Sequence, residues 1–263
     1  MFSDMFKIRG TIGKKESTII VTATFLFLFA LWWGLSAMQL VDPVFLPSPM
    51  SVWDYICTTA ANGALWDNTK ISIIRIFWGV LISVVIGAPV GLLCGTFPIT
   101  EAIFRPLCEF IRYMPVPAFV PLVMIWVGIG ESAKVLLLFI GVFFQIVLMI
   151  ANDVRSVQND LLNAGYTLGA TRWQSITKIL IPAMLPRAFE TLRTMIGWAW
   201  TYLVVAEMVA ANSGLGYMII KAQRFLQTDC IFAGILTIGL LGLITDRFMY
   251  FLSKRLFSWQ EGM

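Results

Sequence analysis

Six long apolar runs constrain this chain before anything else does. They cover about residues 18–38, 73–95, 113–127, 134–151, 189–211 and 230–252. Most are long enough, at 1.5 Å per helical residue, to cross a hydrocarbon layer about 30 Å thick. Only 13% of the residues are charged and 59% are hydrophobic, against about a quarter charged in soluble domains. The mean hydropathy is +0.82. In lipid every backbone polar group must be satisfied internally, which leaves helices or closed barrels. Apolar runs of this length are helices. The fold class is therefore an all-α membrane protein with about six transmembrane helices. The net charge of +4 then reflects basic loops at a membrane surface and not a nucleic-acid footprint.

Three parts follow from the pattern. Residues 1–18 are a polar N-terminal segment with Lys7, Arg9, Lys14 and Lys15. Residues 19–252 are the six-helix transmembrane domain. Residues 253–263 are a C-terminal tail. No small-residue cleavage site follows the first run convincingly, so it reads as a retained helix and not a signal peptide. Its Trp32 and Trp33 either mark an outer interface or pack. A connector with Pro43, Pro47 and Pro49 leads to a short amphipathic helix over 51–59. Gly79, Ser83, Gly87, Gly91 and Gly95 recur every fourth residue. Such a bare face suits close packing within the chain better than a seam between two copies. Pro89 is expected to kink that helix. Residues 97–112 read as a short inner loop. The third run holds Pro115, Pro117 and Pro121. Three prolines in seven residues free carbonyls that lipid cannot satisfy, so this segment faces protein or a wet cavity. It is the pore candidate, with Met114, Pro115, Pro117 and Pro121 as pathway residues, the other reading being a kinked but sealed helix. Gly128 to Glu131 form a tight turn. Residues 213–227 are amphipathic, opened by Gly214-Leu215-Gly216.

Residues 157–186 interrupt the apolar pattern. Leu161, Leu162, Ala164, Gly165 and Leu168 fall at helical spacing on one side. Gly169 ends that helix, being free to take a positive φ. Thr171 and Gln174 have capping-box spacing and restart the chain as a second helix. Ile176, Ile179 and Leu180 are its apolar stripe, and Pro182 closes it. This elbow is either an ordinary interfacial helix pair or a docking knob for a second protein.

Charge sets the orientation. Six crossings put both termini on one side. That side holds twelve Lys and Arg residues, including Arg105, Arg112, Arg155, Arg172, Lys178 and Arg187, against five on the other: Lys70, Arg75, Lys134, Lys221 and Arg224. The richer side, with the elbow and both termini, is cytoplasmic by the positive-inside rule.

Few residues suggest chemistry. There is no His, and Cys57, Cys94, Cys108 and Cys230 are scattered with no CxxC pair, so no metal or redox motif is read. Cys94 and Cys108 suit apolar helix contacts. No Gly-x4-Gly-Lys-Ser/Thr loop occurs. Glu207 is the one acid well inside an apolar run. Such groups mark pathways or paired sites. A structural pair with Lys134 or Arg75 is favoured over a substrate contact. Trp200 of the same run joins it as a pathway residue. Asp246 and Arg247 read as a solvated or cross-helix pair. Arg105, Arg112, Arg187 and Arg193 either set topology or line a cationic inner vestibule. No run carries Lys or Arg at its centre, so weak solute binding in the pore is expected.

The elbow carries a resemblance. Asn163-Ala164-Gly165, three residues, Gly169, then Ile181-Pro182 resembles the signature of bacterial ABC importer permeases: Glu-Ala-Ala, three residues, Gly, then a hydrophobic-x-Leu-Pro. Asn163 stands for its Glu and Gly165 for its second Ala. Ser72-x-x-Arg75-x-x-x-Gly79, Arg112-x-x-Pro115 through Pro121-Leu122, Trp126-Val127-Gly128-Ile129-Gly130-Glu131, Ala206-Glu207 and Gly214-Leu215-Gly216 resemble the nitrate/sulfonate/taurine branch. Phe45-Leu46-Pro47-x-Pro49 and Arg255-Leu256-x-x-Trp259 look nearest to the taurine permeases. The resemblance implies a type I importer permease fold whose loop 155–186 is the cytoplasmic coupling helix. Its ATPase-coupling residues would be Asn163, Ala164, Gly165, Leu168, Gly169, Ala170, Thr171, Arg172 and Trp173. It implies a homodimer in the bacterial inner membrane with two ATPase subunits and a periplasmic solute-binding protein. ATP and Mg would be bound by the ATPase, with no cofactor in this chain and no catalytic residue. The expected solute is a small organosulfonate, taurine first. The rivals are nitrate, bicarbonate or an aromatic carboxylate, and, in another class, an autonomous secondary transporter or channel. A membrane enzyme lacks any clustered nucleophile, acid/base or metal set.

Overall fold

The computed structural model describes residues 12–208 and 211–259. Lys7, Arg9 and the rest of the N-terminal segment before residue 12 lie outside the described residues, as do residues 209–210 and 260–263. The described residues are helical throughout, joined by short turns.

The first helix, α1 (Lys14–Ala37), is apolar and exposed along its length. Trp32 near its end packs: it stacks on Phe232 and donates its indole N–H to the Pro47 carbonyl at 3.0 Å. Trp33 is exposed. The stiff connector delivers Ser48, whose hydroxyl accepts the Ser51 N–H at 3.0 Å and caps α2 (Pro49–Ala61). Pro49 takes the first helical position, where a missing N–H is no loss.

The small-residue stripe of α3 (Ala64–Thr96) organises the core. A Cβ added at Gly79 would meet Leu138, at Gly87 Ile146, at Gly91 Ile150 and at Gly95 Val154. These partners belong to α6 (Glu131–Arg155). Both sets of numbers climb together, so α3 and α6 lie parallel. The bare face is an intramolecular seam, as its spacing suggests. Pro89 sits inside α3, and the helix runs on through it.

Parallel neighbours force the connection between them to travel back the full length. Helices α4 (Pro98–Arg112) and α5 (Val116–Val127) do this together, bent by 95° at their break. Two expectations are corrected here. Residues 97–112 are a helix and not a loop. The third crossing is not 113–127, because α5 alone has 12 residues, about 18 Å at 1.5 Å each. Pro98 starts α4 at a tolerated position. Ile99, Ile103, Leu107 and Phe110 line one face of it, exposed. Glu101, Arg105 and Glu109 line the other, in i,i+4 ion pairs at 2.8 and 2.9 Å. Glu101 also pairs with Arg155 at the end of α6.

After α6 come α7 (Asn159–Thr167), the short α8 (Arg172–Gln174), a wide π turn (Ser175–Leu180) and α9 (Ile181–Met208). Gly141 faces Tyr202 and Asp153 faces Thr191, so α9 runs antiparallel to α6. Pro182 does not close a helix, contrary to expectation: the chain passes straight through it into α9. The Ile181 N–H bonds back to the Ile176 carbonyl, five residues earlier. That wide turn moves aside the carbonyl with which a proline ring clashes in an α-helix. Helices α10 (Leu215–Arg224) and α11 (Thr228–Leu256) complete the order, and Trp200 faces Gly242 across the α9–α11 contact. Asp246 of α11 pairs with Arg193 of α9 at 2.6 and 2.8 Å, and not with Arg247. By length and composition α1, α3, α6 and α11 can each cross a membrane, and the bent α4–α5 pair is a fifth candidate. Helix α9 has 28 residues, enough for about 42 Å, but is not apolar enough to join them by composition.

The seam makes a prediction. A Cβ at Gly91 would lie 2.7 Å from the Val147 carbonyl oxygen and 2.8 Å from the Ile150 Cβ. Backbone must then move, so Gly91→Val is expected to destabilise the protein by about 1–3 kcal/mol. Gly34→Val, where nothing lies within 4 Å of the added Cβ, is the control. Thermal unfolding in detergent measures both, and equal midpoints would remove the seam from the core.

Candidate functional site

Two polar constructions sit at opposite ends of the bundle. The first is the elbow at the ends of α3 and α6. Helix α7 stops in a Schellman turn: the Ala170 N–H donates to the Gly165 carbonyl at 3.0 Å and the Gly169 N–H to the Tyr166 carbonyl at 2.9 Å. Gly169 has φ +82°, where a side chain is strained. The Thr171 hydroxyl then accepts the Gln174 N–H at 3.3 Å, and the Gln174 side chain accepts the Thr171 N–H at 2.9 Å. This is the reciprocal capping box read from the sequence. Gly165 is buried, and a Cβ there would press on the tip of Ile179. Its replacement of the signature's alanine lets α7 sit directly on the π turn. Asn163, Ala164, Thr171 and Arg172 are exposed and Ala170 is partly so. Two large apolar side chains project among them, Leu168 at 88% exposure and Trp173 at 72%. Exposed apolar anchors ringed by polar groups are what a groove in a second protein takes up.

The second construction is a buried charge cluster at the other end. Arg75 of α3 is 1% exposed and Glu207 of α9 is 0% exposed. The Arg75 guanidinium uses all five N–H donors. It holds Glu131 at the start of α6 through two bonds of 2.7 and 2.6 Å, Glu207 at 2.7 Å, and the Ser213 carbonyl and hydroxyl at 2.7 and 3.3 Å. Glu207 also accepts the Ser72 hydroxyl and the Gly216 N–H, both at 2.8 Å. Lys134 donates to Glu131 at 2.7 Å. The cluster caps α10 from outside: Asn68, Ser72 and Glu207 accept the N–H groups of Gly214, Leu215 and Gly216 in turn. Those are the orphan donors of a helix N-terminus. Gly214 has φ +111°, and a Cβ there would overlap the Glu207 carboxylate. The two glycines therefore let backbone approach a buried acid. Of the two expected partners of Glu207, Arg75 is the one it meets. The sequence reading gave Asn68, Ser72 and Ser213 no part in this cluster. Ser72 and Arg75, three apart on an otherwise apolar helix, were the available signal.

Between the two ends lies a cavity of about 280 Å³ at the break between α4 and α5, bounded by α6 and α9. Met114, Pro115 and Pro117 line it. Pro121 is exposed on another face, Trp200 is buried in the core, and Glu207 belongs to the charge cluster. The Trp200 indole nitrogen has no hydrogen-bond partner among the described residues. The expected arginine vestibule is partly neutralised: Arg105 pairs with Glu101 and Glu109, and Arg193 with Asp246 and Glu190. Arg112 lies at the break within the α4–α5 pair and lines the cavity, contrary to the expectation that no crossing carries a cation near its centre.

A bundle of apolar helices with a broken span, a cavity lined by prolines and an elbow with exposed apolar side chains is the architecture of a polytopic membrane protein. The chain belongs to the family of binding-protein-dependent transport system inner membrane components, whose model matches residues 87–258. It is 35% identical to the taurine transport system permease protein TauC of Escherichia coli, over 98% of this chain and 95% of that one. It is 33% identical to the putative aliphatic sulfonates transport permease protein SsuC of Bacillus subtilis, over 89% and 85%. Its fold is similar to that of the MetNI methionine ABC transporter, solved in an inward-facing conformation, with TM-score 0.58 and 22% identity over 73% of this chain and 94% of that one. The chain is thus a permease of the ABC importer class with the type I fold.

Proposed function

We propose that this chain forms the translocation pathway of an ATP-driven importer for a small organosulfonate, taurine before others. Two copies would form the pore in the bacterial inner membrane. A binding protein would deliver the solute from outside. Two ATPase subunits, which bind the ATP and Mg, would grip the elbows from the cytoplasm, where both termini also lie. Closure of the ATPases would push the elbows together and tilt the spans, opening the pore outward and closing it behind the solute.

The observation that carries this reading is the elbow itself. It combines rigid caps with protruding Leu168 and Trp173 in a chain similar over nearly its whole length to a taurine permease. The charge bias of the loops supports its cytoplasmic side. In a chain whose exposed Cys57 is replaced by serine, a cysteine placed at Thr171, exposed at the elbow, is expected to react with a membrane-impermeant maleimide in inverted vesicles and not in intact cells. Labelling in intact cells only would turn the topology over and end the coupling role. Co-purification with an ATPase and ATP-dependent taurine uptake test the rest. Solute flux through this chain alone in liposomes would favour a secondary transporter or channel. ATP-dependent uptake of nitrate or bicarbonate in place of taurine would reassign the solute.

A further inference from the structure

The cavity at the α4–α5 break has a lining chosen for more than an anion. Arg112, Tyr113, Gln145, Trp198 and Tyr202 surround it, together with the prolines. Arg112 has no carboxylate partner among the described residues. It donates to the Tyr113 hydroxyl at 3.0 Å, with its guanidinium carbon 4.8 Å from that ring's centre. Gln145, Trp198 and Tyr202 make no side-chain hydrogen bond with any described residue. Gln145 lies 14 residues into the 25 of α6, about 21 Å along it and so near mid-membrane. Unpaired polar groups at that depth are costly unless a solute or water uses them. Backbone adds acceptors. Pro117 cannot donate to the Tyr113 carbonyl, and the Ala118 N–H goes to Pro115. Among the described residues no backbone N–H reaches the Tyr113 or Met114 carbonyl. No Asp or Glu lines the cavity.

We propose that this cavity is a specificity site for a zwitterion, a small sulfonate bearing a primary ammonium. Arg112 and Gln145 would take the sulfonate oxygens. The two free carbonyls and the faces of Trp198 and Tyr202 would take the ammonium, by hydrogen bonds and by cation–π attraction. The absence of a carboxylate keeps the ammonium weakly held, so the solute can leave. The volume, about 280 Å³, lies at the small end for ligand sites, which run to roughly 300–1,000 Å³. This inference rests on the sulfonate reading above.

The test compares ATP-dependent uptake of taurine with that of ethanesulfonate, which has a hydrogen where taurine has its ammonium. The binding protein and ATPase stay the same, so a change in the ratio arises in this chain. Trp198→Leu and Tyr202→Leu are expected to lower the taurine-to-ethanesulfonate ratio by about threefold to tenfold, the size of one lost cation–π contact. Tyr202→Phe keeps the ring and is expected to keep the ratio. Arg112→Gln is expected to lower both rates together. Tyr202 packs against Gly141, so if Tyr202→Leu does not accumulate, the exposed Trp198 decides alone. Wild-type uptake of both solutes with a ratio unmoved by Trp198→Leu would overturn the zwitterion site and leave the importer standing. A wild type that carries neither sulfonate would overturn both.

Discussion

Arg75→Ala is expected to cost the folded protein about 3–5 kcal/mol, because it strands the buried Glu207 carboxylate without a counter-charge. Glu207 is fully buried, and it would keep the Ser72 hydroxyl and the Gly216 N–H while losing the only cation that pairs with it among the described residues. Glu131 still has Lys134 and suffers less. A charge swap, Arg75→Glu with Glu207→Arg, is not expected to rescue. The Gly216 N–H points at the position 207 side chain and needs an acceptor there, which arginine cannot be. Glu207→Gln keeps a carbonyl oxygen and is expected to lose less than Arg75→Ala. The unfolding midpoint of the purified protein in detergent reads these differences. An Arg75→Ala protein within about 0.5 kcal/mol of wild type would show that the cluster is not holding α3, α6, α9 and α10 together.

Gly169→Val is expected to leave membrane insertion intact while reducing both solute-stimulated ATPase activity and uptake by about tenfold or more. Nothing lies within 4 Å of a Cβ added there, so no clash is involved. The effect comes from φ +82°, which costs an ordinary L-residue about 1–2 kcal/mol and a β-branched one more. That is enough to shift the elbow's population about tenfold. Gly169→Asn is the discriminating control, since asparagine tolerates the left-handed region. It should transport nearly as well as wild type. Full uptake by Gly169→Val would remove the bend from the coupling route.

What could be read from the residues alone was what local spacing decides. Gly169, Thr171 and Gln174 make contacts three to five residues apart, and they form the turn and cap that their order implies. The stripe from Gly79 to Gly95 announced a close neighbour, though not which one. The rest depends on distant partners. Nothing in the stripe says that α6 lies parallel to α3, and it is that arrangement which makes α4 and α5 share one crossing. Helix α4 is amphipathic, with Glu101, Arg105 and Glu109 on one face, so no continuous apolar run marks it as part of a crossing. The meeting of Ser72 and Arg75 with Glu207 spans 135 and 132 residues, beyond any window of periodicity. Pro182 defeated a sound local rule because the turn before it is wider than the rule assumes.

That wide turn fixes an angle. A helical residue advances the chain by about 100° around the axis, and the π turn over Ser175–Leu180 holds one residue more than an α-turn does. The surplus residue sets the azimuth of Leu168 and Trp173 relative to the faces of α9. The direction in which the two exposed side chains point is thus written in residues 175–180, and the bend that carries them in residues 165–174.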